Sequence, residues 1–69
     1  MNLDQEIYAA AGLPAGHQRG KRVFALINHM RYRLGYNYAK CAAKAKEAGI
    51  DSSRWEEMLA EADEYANET

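Results

Sequence analysis

Between Gly20 and Gly35, Val23, Ile27, Met30 and Leu34 recur at steps of four, three and four residues, with Leu26 beside them. That is the period of one helical face, and it fits no strand, whose faces alternate every second residue. A helix over about 18–34 must bury this stripe, and the chain has little of size to set against it. Its large aliphatic residues are only Leu3, Ile7, Leu13, Val23, Leu26, Ile27, Leu34, Ile50 and Leu59. Much of the 48% hydrophobic content is alanine and tyrosine. No stretch alternates like a strand and no internal repeat is visible. The sequence therefore predicts one all-α domain over 1–69, a compact bundle of about four short helices at about 3–11, 18–34, 38–48 and 52–66, with the last two antiparallel.

Punctuation between the stripes sets these boundaries. Asn2 followed by Gln5 has capping-box spacing, and Leu3, Ile7 and Ala10 or Ala11 share a face before Gly12, read as a left-handed terminator. Gly12, Pro14, Gly16 and Gly20 then mark a loop, with Pro14 turning Leu13 away from helical geometry. Gly35 stops the second helix. Asn37 caps a third in which Tyr38, Cys41, Ala42, Ala45 and Ala48 face inward, ending at Gly49. Asp51 as N-cap puts Ile50 and Trp55 at the two positions of a hydrophobic staple, while Ser53 with Glu56 offers a competing capping box. In the fourth helix Trp55, Met58, Leu59, Ala62, Tyr65 and Ala66 form the core face, and Glu57, Glu61 and Glu64 point outward. Trp55 is expected to anchor the domain.

Charge divides the chain into two poles. From Ile7 to Lys46 there is no Asp or Glu, yet eight of the nine Lys and Arg residues lie there. From Glu47 onward eight acids face the single Arg54, although the net charge is only −1. Projected on a helix, the face opposite the core stripe of the second helix carries Lys21, Arg22, Ala25, Asn28, His29, Tyr32 and Arg33. Solvated faces usually mix signs. A basic, tyrosine-rich face without acids is built from the residue types enriched at interface hot spots. The acidic fourth helix reads as a solvated face, making exposed ion pairs with Lys40 and Lys44.

Equipment for chemistry is sparse. The run Gly16-His17-Gln18-Arg19-Gly20-Lys21 resembles a phosphate-binding loop only superficially, because Arg22 stands where a magnesium-binding Ser or Thr belongs and no strand precedes it. His17, His29 and Cys41 are too widely spaced for a usual zinc arrangement, so no metal and no cofactor is expected. Cys41 has no partner for a disulfide and reads as a small buried hydrophobe in a reducing, cytoplasmic setting. The carboxylates sit on outward faces, and neither histidine has a sequence neighbour that would tune it, so no catalytic residue is assigned and the chain is expected not to be an enzyme. No apolar run approaches the ~20 residues of a membrane span, and the start Met-Asn-Leu-Asp has neither a basic n-region nor an apolar h-region, so a soluble protein that is not exported is expected.

The expected function is therefore a non-enzymatic protein-binding module, an inhibitor or adaptor, using Lys21, Arg22, His29, Tyr32, Arg33, Tyr36 and Lys40. In size and in its lack of catalytic equipment the chain is similar to accessory proteins of phages and mobile elements that act by binding a host machine. The alternatives keep the same residues. A nucleic-acid-binding regulator would use Gly35-Tyr36-Asn37 as the corner of a helix-turn-helix and stack bases on tyrosines, whereas a nucleotide-like anionic ligand would sit at a dimer seam. So few large core residues also lead us to expect a homodimer or larger oligomer.

Overall fold

Four α-helices follow one another, α1 over Leu3–Ala11, α2 over His17–Asn28, α3 over Tyr38–Glu47 and α4 over Ser52–Glu68, in a computed structural model that describes residues 2–68. Among the described residues there is no strand. The predicted all-α bundle is the observed fold. Its core joins Ile7 and Ala10 of α1, Val23, Leu26 and Ile27 of α2, Met30 just beyond the end of α2, Cys41 and Ala45 of α3, Ala48 and Ile50 of the turn that follows, and Trp55, Met58 and Ala62 of α4. The Cα radius of gyration, 10.8 Å, matches the ~11 Å expected of a globule of this length.

Local chemistry explains most helix ends. The Asn2 side chain accepts from the Gln5 amide at 3.2 Å, that of Asn37 from the Lys40 amide at 2.9 Å, and that of Asp51 from the Arg54 amide at 2.8 Å. Each satisfies one orphan N–H of a first turn. Asp51, and not Ser53, is thus the cap of α4, and its hydrogen bonds, first that from the Arg54 amide, hold its carboxyl below the usual range. Gly35 (φ 72°) and Gly49 (φ 87°) take the left-handed conformation that ends a helix. Gly12 does not: with φ −77° it is right-handed, and α1 ends because Leu13-Pro14 turns the chain away.

The second helix departs from expectation at its C-terminal end. Instead of running evenly over about 18–34, it passes at Asn28 into a π-helical segment, His29–Arg33. There the Leu34 amide donates to the His29 carbonyl at 3.2 Å, and the Tyr36 amide reaches the Met30 carbonyl at 2.9 Å. The wider turn rotates everything after Met30 relative to a regular helix. Leu34, expected in the core stripe, is consequently 43% exposed. Tyr38, assigned to the apolar face of α3, is also exposed.

At the other end α2 starts at His17, one residue before the expected start, and Gly20, counted also among the loop's glycines, is a buried residue of the helix. A Cβ at this position would fall on the carbonyl of Glu61, so the backbones of α2 and α4 meet here more closely than any side chain permits. The α2–α4 pair is the principal helix contact of the fold, and α3 touches α4 at only a few positions.

Beside Gly20 lies Arg19, 3% exposed, which sequence analysis left without a role. Its Nε donates to Glu61 Oε2 at 2.8 Å, and its Nη2 donates to Glu61 Oε1 at 2.8 Å and Glu57 Oε1 at 2.9 Å. The same Glu61 accepts from the Gly16 amide at 3.1 Å, standing where Gly16 has no side chain to cap α2. Glu61 was expected to point outward; its side chain is only 13% exposed. Lys44 does not reach the acidic helix but pairs with Asp4 at 3.4 Å and Glu47 at 3.0 Å. Lys40 makes no ion pair with α4 among the described residues.

Hydrogen bonding from Arg19, helped by its charge and by the Gly16 amide, holds the Glu61 carboxyl below the usual glutamate range, against burial, which pushes it up. A depressed carboxylate stabilises the fold fully above its ordinary pKa of ~4.3 and loses that contribution as pH falls towards the folded value. Urea melts should therefore show stability declining from about pH 5 downward, with Asp51 adding to the decline. Glu61→Gln should flatten the decline and cost about 3 kcal/mol at neutral pH by leaving the buried guanidinium with Glu57 as its one carboxylate. An unchanged acid limb in that variant would move the titration to other carboxyls.

Candidate functional site

The residues singled out by sequence divide into two groups in space. Lys21 and Arg22 lie on the first half of α2, lining a shallow hollow with Leu13, Gln18 and Ala25. Arg22 Nη1 is 3.4 Å from Glu6 Oε2 of α1, so its charge is partly answered within the chain. His29 is half-buried at the start of the π-helical segment. Tyr32, Arg33, Tyr36 and Lys40 belong to the π-helical segment, the turn after it and the first turn of α3.

This second group is joined by two residues that sequence analysis did not assign, Arg31 and Tyr38. The Arg31 guanidinium carbon stands 4.9 Å from the centroid of the Tyr38 ring and 5.8 Å from that of Tyr32. The Lys40 ammonium stands 4.4 Å over the Tyr36 ring. All three distances fall within the ~6 Å at which a cation is attracted to a ring face. Tyr36 is half-buried and packs on the core, while Tyr32 is 76% exposed. The face is therefore an aromatic shelf seated on the core at one edge and open at the other.

The turn makes this juxtaposition. The π-helical segment swings Arg31 and Tyr32 outward while Met30 stays buried, and Gly35, at positive φ, returns the chain so that Tyr36 and Tyr38 come beside them. A spacing of seven residues from Arg31 to Tyr38 would be one face of a regular helix, but here it spans a helix end, and no periodicity reveals it. Cys41 lies buried one turn further on. Burial pushes its thiol up, with the nearby Arg31 charge acting the other way, so it is held as an inert thiol.

The cations of the chain fall into two sets. Among the described residues Arg31, Arg33 and Lys40, like Lys21 and Lys46, make no ion pair and donate no side-chain hydrogen bond, while Arg19, Arg22 and Lys44 face carboxylates of their own chain. Arg54 donates to the Ala11 carbonyl at the end of α1, 2.6 Å away. No group of three or more His, Cys, Asp or Glu side chains among the described residues is placed to hold a metal ion, and no helix among them is long and apolar enough to cross a membrane. No family model, curated protein or solved structure significantly matches the chain.

An exposed shelf that serves a partner should contribute little to stability. Arg31→Gln, Tyr32→Ala and Arg33→Gln are each expected to change the unfolding free energy by less than ~0.5 kcal/mol. Trp55→Ala, at a side chain 4% exposed, should lose ~3 to 5 kcal/mol. Denaturant melts of the four variants check the contrast, and a large loss at Tyr32 would make it a structural residue.

Proposed function

We propose that the protein is a non-enzymatic binding module of the inhibitor or adaptor kind, engaging a protein partner through Arg31, Tyr32, Arg33, Tyr36, Tyr38 and Lys40. The observation that carries this reading is the unequal use of the basic residues. Wherever a cation helps hold the fold, a carboxylate or carbonyl of the chain answers it; Lys21 and Lys46 are unpaired as well, but it is on the shelf that unpaired cations, Arg31 and Lys40, are seated on rings. Exposed tyrosine and arginine without an internal partner are what interface centres are made of. Lys21, Arg22 and His29 lie outside this centre and belong to its surroundings.

Nucleic-acid binding fits the same face less well. Arg19, Arg22 and Lys44 are engaged with acids of the chain. Tyr36, between the core and Lys40, has little open ring on which a base could stack.

A photo-cross-linking amino acid placed at Tyr32, and separately at Glu64 on α4, distinguishes the readings in nuclease-treated cell extract. Protein adducts from position 32 that disappear when Arg31→Glu is added support the proposal. Adducts from position 64 alone would transfer the function to the acidic helix, and in untreated extract a product with nucleic acid alone would replace a protein partner by DNA or RNA.

Self-association belongs to the same proposal. Beyond Trp55, the large buried side chains are Ile7, Val23, Leu26, Ile27, Met30, Ile50 and Met58, few for four helices. Between α3 and α4 a groove opens on Ala39, Ala42, Ala43, Ile50 and Trp55, with Lys46 on one rim and Asp51 and Glu56 on the other. Opposite charges on its two rims suit a second copy turned about a two-fold axis. Light scattering at micromolar concentration should give about twice the 7.8 kDa chain mass; a monomer mass with a concentration-independent melt would remove the second copy.

A further inference from the structure

The shelf also bears on what kind of surface the partner presents. Resting on the protein-binding reading, we propose that this face takes a carboxylate-rich protein segment, with one Asp or Glu of the partner held by the edge of the Arg31 guanidinium and a neighbouring acid by Lys40.

Three observations lead there. First, Arg31 is held near two rings, Tyr38 at 4.9 Å and Tyr32 at 5.8 Å, and donates to nothing among the described residues. A guanidinium kept at ring faces retains N–H donors in its own plane, the edge that matches the two oxygens of a carboxylate. Because the rings limit its rotamers, less side-chain freedom remains to be lost on binding. Second, Lys40 is fixed over Tyr36 at 4.4 Å, so the second cation is also set in place. Its compact ammonium suits a single acceptor oxygen. Third, the described carboxylates that answer cations do so elsewhere, Glu57 and Glu61 at Arg19, Glu6 at Arg22, Asp4 and Glu47 at Lys44, and Glu68 beside His17. No described carboxylate lies within ion-pair distance of the shelf, so its donor edges are open to a partner's acids.

The size of the patch selects a protein over a nucleic-acid duplex. A protein that follows a duplex commonly contacts about 6 to 10 phosphates. The shelf offers Arg31, Arg33 and Lys40, and the exposed acids of α4 oppose a long polyanion. Two or three carboxylates on a folded partner are what this patch can neutralise, and the tyrosines supply hydroxyl donors and apolar area around them.

Fluorescence anisotropy with the full chain, a labelled oligoglutamate peptide and a labelled DNA duplex tests this. We expect the peptide to bind, Arg31→Gln to weaken it about tenfold, and Lys40→Gln to weaken it less. Arg31→Lys should recover only part of the loss, because an ammonium keeps the charge without the fork. All these side chains are exposed, and circular dichroism confirms that each variant is folded. Peptide binding that is absent, or indifferent to Arg31→Gln and Lys40→Gln, overturns the acidic-segment proposal, as does a duplex that binds more tightly than the peptide at equal salt. If the peptide fails while protein cross-links from position 32 persist, the acidic class falls and the protein-binding face stands.

Discussion

Glu61 is where the fold is tied together. One carboxylate accepts from the Gly16 amide at the start of α2 and from two nitrogens of Arg19 in its first turn, while its own backbone fills the space that Gly20 leaves open. The start of α2 lacks a side-chain cap and an acid in its first turn. An anion from α4 supplies both the missing acceptor and the negative charge that favours a helix N-terminus. Burying a guanidinium is costly, and a buried ion pair is by itself weak evidence of net stability. What it contributes here is direction: with the bidentate pair made, α2 can meet α4 in one register only, because Arg19 and Gly20 are adjacent and both require Glu61.

That register decides what the far end of α2 presents. Val23, Leu26 and Ile27 enter the core on the side fixed by Gly20, and Met30 follows them. If a regular helix continued, Leu34 would be next. The π-helical segment instead absorbs a residue, which puts Leu34 at the surface and aligns Arg31 and Tyr32 with the returning chain. A π-turn gives up regular i→i+4 bonding and is found frequently at functional sites. Here it lies under the cations that have no partner within the chain.

Those features that depend on neighbours within a few residues were legible in the sequence. Asn2, Asn37 and Asp51 cap as their spacing implies, Gly35 and Gly49 end helices as their lack of a Cβ allows, and Trp55 with Ile50 is buried as the staple requires. What could not be read depends on contacts across the fold. Arg19 and Glu61 are 42 residues apart, and in sequence each looks like one member of a charged run on an exposed face. Gly20 next to Gly16 and Pro14 looks like loop punctuation, although its missing Cβ serves helix packing. Likewise, Tyr32, Arg33, Tyr36 and Lys40 were singled out from composition, but Arg31 and Tyr38 join them only because a π-turn and a left-handed glycine intervene, neither of which has a period.

The charge segregation along the chain accordingly means something narrower than it first suggests. Taken as a string, the acid-free stretch is a basic pole facing an acidic one, and the net charge of −1 conceals both. Folded, much of this opposition is internal: Arg19 meets Glu57 and Glu61, Arg22 meets Glu6, and Lys44 meets Asp4 and Glu47. Exposed pairs of this kind are worth only ~0 to 1 kcal/mol each, so they do not explain why the poles are kept apart. The buried Arg19 group explains part of it, since an acid near Arg19 in sequence would compete with Glu61 for the guanidinium. The cations over the tyrosines explain the rest on the proposed reading, because any nearby acid of the chain would occupy the same donor edges and close the face to a partner.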